Sequence, residues 1–74
     1  MSDYTLSEEA IIAAKWLDIR QERNQLLAET DWIIVMHKEK GTNIPTAMKT
    51  YRQELRDITD TYASPDDVVW PEKP

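Results

Sequence analysis

Six apolar residues, Ile44, Met48, Tyr51, Leu55, Ile58 and Tyr62, recur at steps of four, three, four, three and four along the second half of the chain. At about 3.6 residues per turn this spacing holds all six on one side of an α-helix. The segment therefore predicts a helix over 44–62 whose seam must be covered by another helix. Thr42 or Asn43 is placed to cap it. Pro45 suits its first turn, where the missing proline N–H would have no partner anyway. The opposite side carries Lys49, Arg52, Gln53, Arg56 and Asp60.

A cover lies upstream. No Gly or Pro interrupts residues 7–28, and Ile12, Trp16, Ile19, Arg23 and Leu26 recur at steps of four, three, four and three, with Leu27 beside them. This predicts a first helix over 7–28, capped by Thr5 or Ser7, with Thr5 and Glu8 at capping-box spacing. Arg23, within the stripe, can lay its aliphatic stem on the core and keep its guanidinium at the edge, or meet a carboxylate there. Residues 29–43 read as a connector. Glu29-Thr30-Asp31-Trp32 looks like a change of direction, although the helix can equally carry on through it. The β-branched run Ile33-Ile34-Val35 favours extended chain, with strand, helix and loop all open for 32–36. His37 to Asn43 is charged, holds the one glycine, Gly41, and reads as an exposed loop. After Tyr62, Ala63-Ser64-Pro65-Asp66-Asp67 is a stop signal, and Pro71 biases Trp70 towards extended backbone. Residues 63–74 are expected to form an extended strap anchored by Trp70. The fold class expected is all-α: a single small domain over 1–74, built as an antiparallel helical hairpin with an extended C-terminal strap.

Such a hairpin has little to bury. Leu, Ile, Val and Phe supply 15 of 74 residues, and a core of this size rarely contributes more than roughly 3–5 kcal/mol, so chains like this usually add disulfides, a metal or a partner. Cysteine is absent and His37 is the only histidine, which leaves no disulfide, no thiolate or His-rich metal site and no Ser-His-Asp arrangement. A protein partner is the expected compensation, either another copy or a different chain. Fourteen acids against nine bases give a net charge of −5, which opposes phosphate binding and makes nucleic acid a poor partner. The acidity is concentrated at the end: Asp57, Asp60, Asp66, Asp67 and Glu72 face only Lys73 over residues 57–74. No apolar run approaches the ~20 residues that span a bilayer, and Met1–Ile12 lacks the basic start and apolar block of a signal peptide, so neither a membrane nor export is expected.

No set of residues here converges on chemistry. Asp66 and Asp67 are adjacent and, in extended chain, point to opposite sides, so a turn after Pro65 is the better reading than a catalytic or metal pair. His37 with Glu39 supplies two ligands, too few for a stable site. Lys49, Arg52 and Arg56 form a basic row that can dock phosphate or an acidic patch, although Glu54, Asp57 and Asp60 share the helix and an ordinary solvated face is the plainer account. Trp32 and Trp70 lie outside the clear helices, where large aromatics either close a small core or anchor an interface. The residues alone give a small acidic helical interaction module without cofactor or metal.

The blocks Arg23-Asn24-Gln25-Leu26-Leu27-Ala28-Glu29-Thr30-Asp31-Trp32, then Tyr51-Arg52-Gln53-Glu54-Leu55-Arg56-Asp57, then Trp70-Pro71 carry a resemblance over most of residues 20–72. In them the chain is similar to the phage tail assembly chaperone family, whose members also occur as the C-terminal part of tail-fibre assembly proteins and as short free-standing proteins of tailed phages, cyanophages among them. Arg23, Leu27, Thr30, Asp31 and Trp32 match the first block; Tyr51, Arg52, Leu55, Arg56 and Asp57 the second; Trp70 and Pro71 the last. These are fold signatures or partner contacts. On physical grounds Trp32, Tyr51, Leu55 and Trp70 are expected to close the core while Asp31 caps a helix or pairs with an arginine. Where relatives have a polar stretch between the blocks, this chain has apolar Ile33–Met36 and then a basic loop.

The resemblance implies a non-enzymatic helper that binds tail or tail-fibre subunits in the host cytoplasm during assembly. Acting as a chaperone, it would shield a subunit through its apolar stripe and the Trp70 strap and then leave. A structural adaptor of tail, baseplate or fibre needs the same kind of surface and would remain in the virion. A third reading is a small acidic regulator that binds a basic host protein in a salt-dependent way. Self-association through the Ile44–Tyr62 seam is open as well.

Overall fold

Ser7 sets the point at which the chain becomes helical. Its side chain accepts a hydrogen bond from the Ala10 N–H at 3.1 Å, satisfying a donor that a helix start leaves unpaired, and Glu8 and Glu9 put negative charge beside the positive end of the helix dipole. The computed structural model describes residues 7–74, so Thr5 and the capping-box alternative lie outside it. From Ser7 the chain enters α1, Glu8–Lys40, 33 residues without interruption.

Gly41 ends that helix. Its φ of 68° is left-handed, its N–H donates to Lys38 O at 3.3 Å, and the Thr42 N–H donates to His37 O at 3.0 Å. This is the paired closure that terminates helices at a glycine. His37, Lys38 and Lys40 place basic side chains at the negative end of the dipole.

The expected end at Ala28 and the connector over 29–43 are therefore corrected: only residues 41–45 separate the long helix from the next. Thr30 shows why the helix persists. Its hydroxyl donates to the Leu27 carbonyl within the same helix, at 3.1 Å, so its tendency to bond nearby backbone is satisfied without leaving helical geometry. Ile33 packs on the buried cluster, and that packing outweighs the β-branched preference for extended chain, which is worth only tenths of a kcal/mol per residue. His37 accordingly sits half-buried on the last turn of α1, not in an exposed loop, 2.7 Å from the Thr42 hydroxyl.

The second half turns back along α1. Pro45 occupies the N-cap position of α2, Thr46–Arg56, with its carbonyl accepting from Met48 and Lys49 at 3.0 and 3.1 Å, so neither Thr42 nor Asn43 caps it. The single helix expected over 44–62 is divided at Asp57, whose φ of −89° and ψ of 0° open a break before α3, Ile58–Thr61. The Gln53 amide holds both Asp57 carboxylate oxygens at 3.0 Å at that break. Pro65–Asp67 form one 3₁₀ turn, so residues 63–74 are not extended throughout. Return contacts fix the direction: Arg52 meets residues 27–31, and Lys15 pairs with Asp66 at 3.0 Å.

All regular structure among the described residues is helical. The seam forms the core as its spacing predicts: Met48, Tyr51, Leu55 and Ile58 are buried. Leu26, Leu27, Ile33, Ile44 and Trp70 close around the first three of them.

Candidate functional site

Arg52 is the hub of the face where α2 crosses α1. Its Nη1 donates to the Leu27 carbonyl at 2.9 Å and to Thr30 Oγ1 at 2.6 Å, while Nη2 donates to Asp31 Oδ1 at 2.8 Å. A flat guanidinium can serve three acceptors on one helix turn in this way because its donors form a fixed fork. Thr30 has no exposed surface; its hydroxyl accepts from Arg52 and donates to Leu27, so it is buried without an unmet bond. Asp31 meets an arginine, one of the two roles foreseen for it. This cluster joins Leu27, Asp31 and Arg52 of the candidate residues with Thr30, and its chemistry is that of a clasp between helices.

The remaining candidates are placed apart. Tyr51 and Leu55 are buried, and Trp70 lies half-buried against them. Burial pushes the Tyr51 phenol above its ordinary pKa, and the carboxylates of Glu29 and then Glu22 push in the same direction. Pro71 lines a small pocket with Ile58, Tyr62 and Val69, beside the bond from the Tyr62 hydroxyl to Val69 O at 3.2 Å. Arg23 is half-buried, and its Nε donates to Asn24 at 3.2 Å. Arg56 is exposed and donates to Gln53 at 2.9 Å.

Trp32 requires a correction, because it is 62 % exposed and takes no part in the core. Thr30, two residues earlier and about 200° around the helix, occupies the inward position instead. Ile33, Ile34 and Met36 are half-buried, so the apolar run Ile33–Met36 is largely turned inward.

Ile12, expected in the covered stripe, is 41 % exposed although it shares a helix line with buried Thr30, because the returning chain does not cover it. Ile11 and Val69 are exposed as well, and a further set of exposed apolar residues, Leu17, Trp32 and Val35, lies on the other side of α1. Leu17 and Val35, 53 % and 54 % exposed, are eighteen residues apart, which is about five full turns and places them on one line. Trp32, Ala28, Ala14 and Ala10 fall within about 60° of that line, all to one side of it, by the same geometry. The sector they span carries no charged residue from Ala10 to Val35; Gln21 lies within it, Asn24 at its edge, and Arg20 and Asp31 border it. Sequence reading missed this band because it followed the stronger stripe through Trp16, Ile19 and Leu26. The signal that would have found it is the recurrence of Ala10, Ala14, Leu17, Ala28 and Val35 at spacings of four, three, eleven and seven.

A groove of about 570 Å³ runs beside the clasp, between Ile34 and Ile44 at its floor and Lys49, Thr50, Arg52, Gln53 and Arg56 along α2. Among the described residues no group of three or more His, Asp or Glu side chains could hold a metal ion, and no helix is long and apolar enough to cross a membrane.

A family model described as phage tail assembly chaperone protein matches residues 16–74. The match takes in the clasp, the core, the groove and most of the exposed band. No curated protein and no solved structure matches the chain.

Proposed function

The chain belongs to the phage tail assembly chaperone family, and from that premise we propose that it binds a tail or tail-fibre subunit through the outer face of α1, without catalysis, and leaves before the particle is complete. The observation that carries this reading is the exposed band of Leu17, Trp32 and Val35. Ala28, Trp32 and Val35 adjoin one another on this face, with Leu17 beyond Gln21 and Asn24. Exposed apolar surface of this kind marks interfaces, and tryptophan is among the residue types enriched at their energetic centres. Trp70, expected to provide the anchor, is engaged with Met48, Tyr51 and Leu55, so the band takes that role. The client is shielded in the host cell for as long as its own apolar surface is unassembled.

The test is a tagged pull-down from cells expressing the phage structural genes, with bound proteins identified by mass spectrometry, alongside a probe of purified particles. Recovery of a tail or fibre subunit, lost when Trp32 is replaced by Ala, and absence from particles is the expected result. Stoichiometric presence in particles would make the protein a structural adaptor. Recovery of host proteins alone would overturn the chaperone reading in favour of a regulator.

A further inference from the structure

The groove on the return side of the molecule differs from the outer band in chemistry. Its floor is apolar, Ile34 and Ile44, and its wall holds Lys49, Arg52 and Arg56, three of the nine basic residues in a chain whose net charge is −5. Arg52 is matched by Asp31. Lys49 and Arg56 have no carboxylate within salt-bridge distance among the described residues, where the ion pairs are Lys15–Asp66 and Arg52–Asp31. Two unmatched cations therefore stand along an open groove of about 570 Å³.

We propose that this groove docks an acidic peptide segment, with one aliphatic or aromatic side chain seated on Ile34 and Ile44 and carboxylates on either side of it facing Lys49 and Arg56. Charge complementarity selects this occupant. A neutral apolar segment would leave both cations unmatched beside a low-dielectric floor, whereas a carboxylate there forms a charge-assisted hydrogen bond. No aromatic ring lines the groove for base stacking, so a nucleic-acid strand would be held there by its phosphates alone. Lys49 and Arg56 are spaced seven residues apart on α2, about 10 Å along its axis, so the carboxylates they select are separated by roughly three residues of extended chain. The groove and the outer band lie on different sides of α1, and the inference stands whichever protein supplies the acidic segment.

The test uses the full chain and a dye-labelled peptide of sequence Asp-Glu-Leu-Trp-Glu-Asp, followed by fluorescence anisotropy, with Asn-Gln-Leu-Trp-Gln-Asn as the uncharged control. The acidic probe is expected to bind roughly tenfold more tightly than the control, or better, and to weaken several-fold between about 50 and 300 mM salt as the Debye length shortens. Lys49→Ala and Arg56→Ala are each expected to weaken it by about 1.4- to 5-fold, the effect of one exposed ion pair. The double replacement Lys49→Glu with Arg56→Glu is expected to abolish binding. Both positions are exposed, so far-UV circular dichroism of each variant should match that of the parent. Equal binding of the two peptides, or unchanged affinity in the double variant, would overturn the proposal. Tighter binding of a single-stranded oligonucleotide than of the acidic peptide would do so too.

Discussion

Thr30 has no exposed surface and yet carries a hydroxyl, a combination that costs about 1–3 kcal/mol unless the hydroxyl is bonded on both sides. Arg52 supplies one of those bonds and adds a second to the Leu27 carbonyl. Arg52→Ala is expected to lower the unfolding free energy by about 1.5–3 kcal/mol, the usual worth of hydrogen bonds to a charged group, read as a lower urea midpoint. Arg52→Lys should recover little of the loss, because an ammonium cannot reach Leu27, Thr30 and Asp31 together. Asp31→Asn should cost under about 1 kcal/mol, since that carboxylate is 60 % exposed and screened by water. An Arg52→Lys variant as stable as the parent would show that charge alone, without the fork, holds the helices. Tyr51 gives this region a pH dependence. Burial, with Glu29 and Glu22, raises its folded pKa above 10.0, so the folded state keeps the phenolic proton to higher pH than the unfolded chain does. That contribution is complete below the ordinary tyrosine pKa and is lost as pH rises through the raised folded value. Thermal denaturation from about pH 8 to 11 should show a steeper alkaline decline for the parent than for Tyr51→Phe.

Helix α1 is bounded by two local devices, the Ser7 cap and the left-handed closure at Gly41. A Cβ at residue 41 would meet nothing within 4 Å, so the cost of a side chain there is backbone strain alone. Gly41→Ala is expected to destabilise by about 1–2 kcal/mol, while Gly41→Asn, which tolerates left-handed backbone, should cost less; equal melting temperatures for the two would sink this account. The long helix was legible to a reader who carried the stripe past Leu26. Thr30, Ile33 and His37 follow it at steps of four, three and four, and no Gly or Pro intervenes before Gly41. A polar residue at an inward position hid that continuity, because hydrophobicity marks a core position only when the buried side chain is apolar. The break at Asp57 had no comparable signal, since it lies in backbone angles of φ −89° and ψ 0° that the spacing of Leu55 and Ile58 does not reveal.

At the scale of the whole molecule, the Cα radius of gyration is 16.7 Å and the extents are 64 × 19 × 15 Å, against about 11 Å for a compact domain of this length. Small-angle scattering of a dilute sample should give a value near the former, and a value near the latter would refute the extended arrangement. Elongation follows from length. α1 spans about 50 Å whereas α2 and α3 together span about 24 Å, so the returning chain covers one side of α1 and leaves the band at Leu17, Trp32 and Val35 uncovered. The sequence by itself determined the helical class, the buried side of α2 and α3 at Met48, Tyr51, Leu55 and Ile58, and the family, because each depends on residue identity and short-range spacing. Only the tertiary structure decided that Thr30 goes inward and Trp32 outward, that Arg52 bonds Leu27, Thr30 and Asp31 together, and that Lys49 and Arg56 line a cleft. The register between α1 and α2 sets which side of each helix is covered, and that register is a property of the packed pair, not of either stretch of sequence alone.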